Sequence, residues 1–577
     1  MVTTAGHDSR QKTLGRSLTA IVDFAVGSHR RAVAVLLAVA LLCFLPGFFT
    51  IPPLDRDEAR FAQATKQMVE SGDYIDIRFQ DEVRYKKPVG IYWLQAAVVK
   101  TASALGVRNA LTTIWLYRVP SLIGAVGAVL LTYWAALAFV SRRAAVLAGL
   151  MMASSVLLGV ERLMAKTDAM LLLTIVAAMG AMARVYLSRQ SASGQTLSAA
   201  EAWTVAAVFW TALAAGVLLK GPLIVMVVGL AAAALIVVDR SVGWIAALKP
   251  LPGIVWLALL VLPWFLAIIG RAGDAFFAES VGQDLLSKVF TGQESHGAPP
   301  GYYFALFWIT FWPGATLAAL ATPSVWAKRR EPATRFLLAW LVPSWLVFEL
   351  VVTKLPHYVL PLYPAIAILI AGAIDTHALS RRPVLVWGTI WWFVVSLGAG
   401  LLGIVALAVI GRQFGLLAWP LIGAAAVMSL LAWRLYEADG AEHSLLRAIV
   451  AAILTAIAIF ALIVPSLGQL FPSPALARVL RDSGCARPRA VSVGYQEPSL
   501  VFLTGTTTRF VDSADAADFL NGADCRFAFV EGRHERAFAQ RAEMIGLRYS
   551  AGPRIEAINI SNGRSITIAV YRSAGPS

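Results

Sequence analysis

From residue 32 to residue 466 the chain is a succession of uncharged apolar runs. Each is close to the roughly 20 residues with which a helix crosses a bilayer, and short polar stretches separate them. The runs at 32–50, 115–140, 144–160, 167–187, 202–219, 221–238, 252–270, 300–322, 335–352, 357–375, 384–411, 414–434 and 446–466 predict thirteen membrane-spanning helices. The first run is too long for the apolar core of a signal peptide and ends without a small-residue cleavage site, so it reads as a retained helix. After residue 466 the pattern changes. Short alternating or apolar runs at 490–495, 527–531 and 566–571, broken by Gly, Pro and Asp, predict strands. Residues 513–522 and 533–545 read as helices between them, which makes 467–577 a small α/β domain.

Composition agrees with a polytopic membrane protein and excludes a soluble enzyme. Of the 577 residues 58% are apolar and 14% charged, against roughly 25% charged in an ordinary soluble domain. The net charge of +15 is not accompanied by the mixed basic and aromatic stretches of a nucleic-acid binder, so no nucleic-acid partner is expected. Its distribution carries topology instead. With the N-terminus inside, the cytoplasmic segments hold Arg10, Lys12, Arg16, Arg30 and Arg31, then Arg142 and Arg143, Lys328 to Arg330, and Arg381 and Arg382. The short outer loops hold far fewer cations, as the positive-inside rule requires. The expected organisation is a cytoplasmic segment 1–31, a membrane part 32–466 with outer juxtamembrane segments 51–114 and 271–299, and an outer-face domain 467–577. Two of the three cysteines, Cys485 and Cys525, fall in that last domain, where an oxidising compartment would permit a disulfide or two separate buried thiols.

The segment 51–114 breaks the charge rule. It carries Arg56, Arg60, Arg84, Lys86 and Lys87 on the outer side, an arrangement that calls for something anionic to bind. Residues 57–71, with Phe61, Ala64, Thr65, Met68 and Val69 at helical spacing, predict an amphipathic helix lying on the membrane surface. Asp57 and Glu58 fall in its first turn, where the helix dipole favours negative charge. Other ionisable residues sit at outer span ends: Glu161, Arg162, Lys166 and Asp168, then Lys220, then Lys354 and His357. Charges at membrane depth are costly and mark sites by default, so these predict one cavity open to the outside.

These residues resemble a known family, the membrane glycosyltransferases related to bacterial aminoarabinose-lipid A transferase and to protein O-mannosyltransferases. Asp57-Glu58-Ala59-Arg60-Phe61 is similar to the family's signature after the first helix, and Tyr85 through Tyr92-Trp93 to its tyrosine and lysine-proline stretch. Lys166-Thr167-Asp168, Lys220-Gly221-Pro222, Pro263-Trp264-Phe265, the run from His296 to Tyr303 and Lys354-Leu355-Pro356-His357-Tyr358 follow in the family's order. The resemblance implies a thirteen-helix GT-C fold, an isoprenoid-phosphate sugar donor, and transfer on the periplasmic side of a bacterial inner membrane. Two positions depart from the aminoarabinose transferase pattern. Lys86 replaces the acid that commonly precedes the family lysine, which removes a carboxylate from a neighbourhood that holds a metal ion in a relative. Lys288 stands where an arginine is expected, and lacks its bidentate fork.

On this resemblance Lys87, Arg60, Lys288 and Tyr358 would hold the donor phosphate and stabilise it as it departs. Asp57 would activate or orient the attacking acceptor oxygen, and Asp168 would act as second catalytic carboxylate, positioning sugar hydroxyls or a cation. Glu58, Tyr85, Lys220, His296 and Lys354 would contact substrate. No metal or other cofactor is required by this scheme, and no Gly-rich nucleotide loop is present in the sequence. The expected acceptor is lipid A or another envelope glycan or lipid. Protein O-glycosylation and a lipid-linked sugar flippase are the alternatives, although the repeated halves common in transporters are not visible.

Overall fold

The computed structural model describes residues 18–190, 197–273, 276, 278, 297–560 and 562–574. Helix lies along each of the apolar runs. The helices are α1 (His29–Phe44), α2 (Asp57–Ser71), α3 (Gly90–Ala104), α4 (Ile114–Ala136), α5 (Arg142–Ser154), α6 (Val156–Glu161), α7 (Asp168–Gln190), α8 (Ala199–Lys220), α9 (Leu223–Asp239) and α10 (Pro250–Ala272). They continue with α11 (Tyr302–Thr310), α12 (Ala315–Ala327), α13 (Pro332–Leu350), α14 (Tyr363–Asp375), α15 (Trp391–Val409), α16 (Ala418–Arg434) and α17 (Ala441–Ala456). Among the described residues eight helices are long and apolar enough to cross a membrane, and a ninth if α11 and α12, bent by 118° at their junction, form one broken span. Helices α1, α5, α9 and α16 are shorter, with 16, 13, 17 and 17 residues.

Helix α7 is enclosed by its neighbours, while α10 and α15 turn apolar side chains such as Leu259, Leu266, Leu402 and Val405 outward, as lipid-facing helices do. Small residues allow the enclosed helices to approach closely. A Cβ on Gly124 of α4 would lie 2.6 Å from the backbone of Ala169 and Met170, so this glycine seats the first turn of α7 against α4.

The segment 51–113 is more structured than the pattern suggested. Helix α2 is followed by a two-stranded hairpin, β1 (Arg78–Phe79) and β2 (Glu82–Val83), and by α3. At 15 residues α3 is too short to register as a span. The expectation that α2 lies on the membrane surface is corrected: protein covers it on two sides. Phe61, Ala64 and Met68 pack with Tyr85, Tyr92 and Trp264, whereas Ala62 packs with Val99, Tyr117 and Phe502. Its polar residues Gln63, Thr65 and Lys66 are buried too, because each meets a partner: Thr506, Gln95 and the Phe502 carbonyl.

The C-terminal part is α/β. Helices α18 (Pro472–Arg481), α19 (Pro498–Thr504), α20 (Ser513–Asn521) and α21 (Glu535–Met544) accompany β3 (Arg489–Val493), β4 (Arg509–Phe510), β5 (Arg526–Glu531), β6 (Tyr549–Asn559) and β7 (Arg564–Ser573) in a sheet ordered β4-β3-β5-β7-β6. Strand β3 runs parallel to β4 and β5, and β7 antiparallel to β5 and β6. Alternation along β5 buries Phe527 and Phe529 in one cluster and Ala528 and Val530 in another, so the sheet is covered on both faces. Cys485 and Cys525 are joined by a disulfide, Cα to Cα 5.8 Å, across 40 residues.

In the chain-entropy account such a loop closure stabilises the native state by about 3–4 kcal/mol. Thiol labelling under denaturing, non-reducing conditions should find Cys43 alone free. Labelling of all three cysteines would show that the bridge does not form.

Candidate active site

Five stretches converge at one end of the helix bundle: the start of α2 with the turn before it, the 84–87 loop after the hairpin, the residues around the start of α7, the end of α8, and the 353–358 segment before α14. They enclose a cavity of about 270 Å³. Of the residues singled out in the sequence, Asp57, Arg60, Lys87, Asp168, Lys220 and Tyr358 all line it.

The inner wall is a compact charge cluster. Asp168 opens α7, and Lys220 closes α8, where Gly221 at φ 66° turns the chain away. Lys220 donates to Asp168, and its ammonium lies 5.4 Å from the centre of the Tyr358 ring. Lys166 Nζ stands 3.1 Å from Glu161 Oε2, 3.4 Å from Asp168 Oδ2 and 3.3 Å from His357 Nδ1. An ammonium has only protons to offer, so His357 Nδ1 must accept. The imidazole is then neutral with its proton on Nε2, which faces Asp168 Oδ1 at 3.6 Å. Two carboxylates and two ammonium groups, nearly out of water, therefore balance one another as buried charges must.

Donor atoms of Glu161, Asp168 and His357 lie within 4.8 Å of one another, near enough to share a divalent ion. The lysines make that a poor fit. Lys166 and Lys220 already neutralise both acids, and a resident cation would have to displace an ammonium.

The outer wall is more exposed and strongly basic. Arg56, Arg84 and Lys86 join Arg60 and Lys87 there. Lys87 Nζ donates to the Lys86 carbonyl at 3.0 Å, and the Arg84 guanidinium sits 5.1 Å over the Phe61 ring. Asp57 is exposed at the lip, whereas Asp55, half-buried and also lining the cavity, accepts the Ser499 N–H at 3.0 Å. Burial pushes the Asp55 carboxyl up to about 7, the Ser499 contact opposing and the Glu497 charge adding to the rise.

Three expected substrate contacts lie elsewhere. Glu58, one residue from Asp57, points into the core, where it accepts from Arg118 Nε at 2.7 Å and Nη2 at 2.8 Å, and from the Leu54 and Ala165 N–H groups at 2.8 and 3.0 Å. It is a structural anchor because a helical step of 100° carries it away from the cavity. Tyr85 is buried and donates to Asp76 at 2.8 Å. Lys354 is buried and donates to the Val351 carbonyl at 2.7 Å, while its neighbours Thr353 and Leu355 line the cavity. Lys288 and His296 lie outside the described residues. Lys166 and His357, given no role of their own on sequence, stood inside quoted motifs. Asp55 carried no signal beyond its nearness to Asp57.

Residues 72–272 match the dolichyl-phosphate-mannose-protein mannosyltransferase family, a stretch that contains Lys87, Asp168 and Lys220. The chain is 28% identical over 395 residues to an undecaprenyl phosphate-alpha-4-amino-4-deoxy-L-arabinose arabinosyl transferase of Pectobacterium carotovorum, covering 67% of this chain and 66% of that one. A Yersinia pestis protein of the same name is 28% identical over 318 residues, covering 55% and 54%. The crystal structure of ArnT from Cupriavidus metallidurans bound to undecaprenyl phosphate superposes with a TM-score of 0.72 at 19% identity, over 93% of this chain and 97% of that one. The chain is thus similar in sequence to arabinosyl transferases and protein mannosyltransferases, and in fold to ArnT. The ArnT structure in the apo state gives a TM-score of 0.73 at 17% identity, over 94% and 99% of the two chains. The likeness of fold to ArnT therefore extends through the C-terminal α/β part, whereas the sequence match to the arabinosyl transferases spans about two thirds of the first relative and half of the second.

The Glu58 and Arg118 side chains are fully buried. Replacing Glu58 by Ala leaves an unpaired guanidinium and should destabilise the fold by about 3–5 kcal/mol. The expected readout is a sharp loss of monodisperse protein after detergent extraction. A Glu58→Ala protein with unaltered yield and melting temperature would refute the anchor.

Proposed function

We propose that the protein transfers a sugar from a polyprenyl-phosphate donor to an acceptor at the outer face of a bacterial inner membrane, with lipid A or another envelope glycan or lipid as acceptor. The observation that carries the reading is the cavity's surplus of cations, with Arg56, Arg60, Arg84, Lys86 and Lys87 along one wall and Lys166 and Lys220 on the other. A sugar phosphodiester carries one negative charge, and its departing phosphate gains a second as the bond to the anomeric carbon breaks. Fixed cations meet that developing charge without reorganisation.

In this scheme Lys87, Arg60 and Tyr358 face the donor phosphate, and Asp57 at the lip orients or deprotonates the acceptor hydroxyl. Asp168 acts through its neighbours, holding Lys166 and Lys220 toward the cavity. The match to protein mannosyltransferases over 72–272 favours a second acceptor class, a protein hydroxyl.

The proposed organisation follows from the loop charges: thirteen spans, the N-terminal segment 1–31 inside, membrane part 32–466, and the α/β domain 467–577 outside. A reporter fused after Ser577 should be active only on the outer side, and one after Arg382 only in the cytoplasm. Interchanged results would remove a span from the count.

The catalytic test uses purified protein, an undecaprenyl-phosphate sugar and envelope extract, and follows acceptor mass. Asp57→Asn should retain donor binding while turnover falls about 10²–10⁴-fold. Lys87→Ala should weaken donor binding and slow turnover together, because one cation meets the phosphate in ground and transition states. Normal turnover by Asp57→Asn would reduce Asp57 to a negative charge in the first turn of α2. Movement of lipid-linked sugar across vesicles without any glycosylated product would establish a flippase.

A further inference from the structure

The turn that presents Asp57 is held from two directions, and the second comes from the far end of the chain. Helix α2 begins without a side-chain cap, and the residue before it, Arg56, has φ 65° and ψ −107°. That region is costly for any residue with a Cβ, and it persists only where the surroundings impose it. On the following side Glu58 is clamped by Arg118 and two backbone N–H groups, as described above. On the preceding side Asp55 Oδ1 accepts the Ser499 N–H at 3.0 Å, and Oδ2 lies 3.5 Å from the Tyr495 hydroxyl.

The Asp55 partners are themselves fixed. The Tyr495 hydroxyl is 2.9 Å from Ser473 Oγ, which is 2.6 Å from Ser499 Oγ, and all three residues are buried. Helix α19, which starts at Pro498, is seated on α2 by Phe502. The Phe502 ring packs edge-on against Tyr117, and its carbonyl accepts from Lys66 at 2.9 Å. Farther from the cavity the Thr506 hydroxyl links Gln63 and Glu70 of α2.

We propose that Asp55 is a positioning residue: by accepting the Ser499 N–H it fastens the C-terminal α/β part to the strained turn, and so sets where the Asp57 carboxylate stands in the cavity. This rests on the transfer reaction proposed above for Asp57. The C-terminal part is then a component of the catalytic framework as well as a cover over it. Asp55 need not touch substrate to act, since a displacement of about 1 Å in a reacting group costs on the order of 10²-fold in rate.

The test compares full-length Asp55→Ala, Asp55→Asn and Thr506→Ala. Turnover is normalised to sites titrated with undecaprenyl phosphate, so unfolded protein does not count. Asp55→Ala should lower turnover per site by about 10–100-fold, with the donor KM changed less than about twofold. Asp55→Asn keeps an oxygen for the Ser499 N–H and should restore turnover to within a few-fold of the parent. Thr506→Ala loosens the docking away from the cavity and should lower the melting temperature with turnover per site unchanged.

Hydrogen exchange gives a readout that needs no activity. Amides of residues 56–59 and of Ser499 should exchange at least about tenfold faster in Asp55→Ala than in Asp55→Asn. Exchange equal in the two variants, normal turnover by Asp55→Ala, or an Asp55→Asn protein as slow as Asp55→Ala would overturn the assignment. The last result would mean that the Asp55 charge acts directly. If the parent protein glycosylates nothing, the transfer reaction falls, and the exchange measurement still decides whether Asp55 holds the turn.

Discussion

The Glu58–Arg118 ion pair is the constraint on which the site depends. Arg118 reaches from α4 to Glu58 and also donates to the carbonyls of Ile51 and Pro52 at 2.7 and 2.9 Å, while Glu58 accepts from Leu54 and from Ala165 in the loop before α7. One buried pair thus ties the loop after the first helix, the start of α2, the N-terminal end of α4 and the loop that delivers Lys166 and Asp168. A buried pair is weak evidence for stability, because well-packed apolar residues often serve as well. Its value here is register: each additional backbone contact fixes one segment relative to the others, which a hydrophobic contact of the same size would not do.

The second organising feature is electrostatic. Across the cavity, Lys166, Lys220, Glu161 and Asp168 pair with one another, while the facing wall carries five cations beside Asp55 and Asp57. Chemistry that generates negative charge is suited to such a division. The mutually paired side can keep its geometry while the cation-rich side meets a change in charge.

Much of this was legible in the sequence, for a physical reason. Lys87, Asp168, Lys220 and Arg60 stand where hydropathy and loop charge would not place them, so a cost was visible, and all four line one cavity. The strands β3, β5 and β7 were legible from their alternation. Glu58 was not. It is the same residue type as Asp57 in the same helical turn, and only the helix phase and an arginine 60 positions later decide which acid faces the cavity. Arg118 itself was hidden inside a long apolar run. Strand β6 was obscured by Gly552 and Pro553, which read as a breaker, yet the irregular register between Ala551 and Arg554 accommodates them. Tyr85 and Lys354 sat in matching motifs, but a motif specifies neighbourhood, not the direction in which a side chain points.

The contact between Asp55 and Ser499 joins residues 444 positions apart. Apart from the opening segment, nearly the whole membrane part must be synthesised and inserted before the two can meet. Loop-closure entropy grows only slowly with such a separation, but the order of events is set by the ribosome. A nascent chain would therefore have made nearly all of its membrane helices with the Asp57 turn still unfastened. Assembly of the cavity becomes a late step, timed by arrival of the last fold unit.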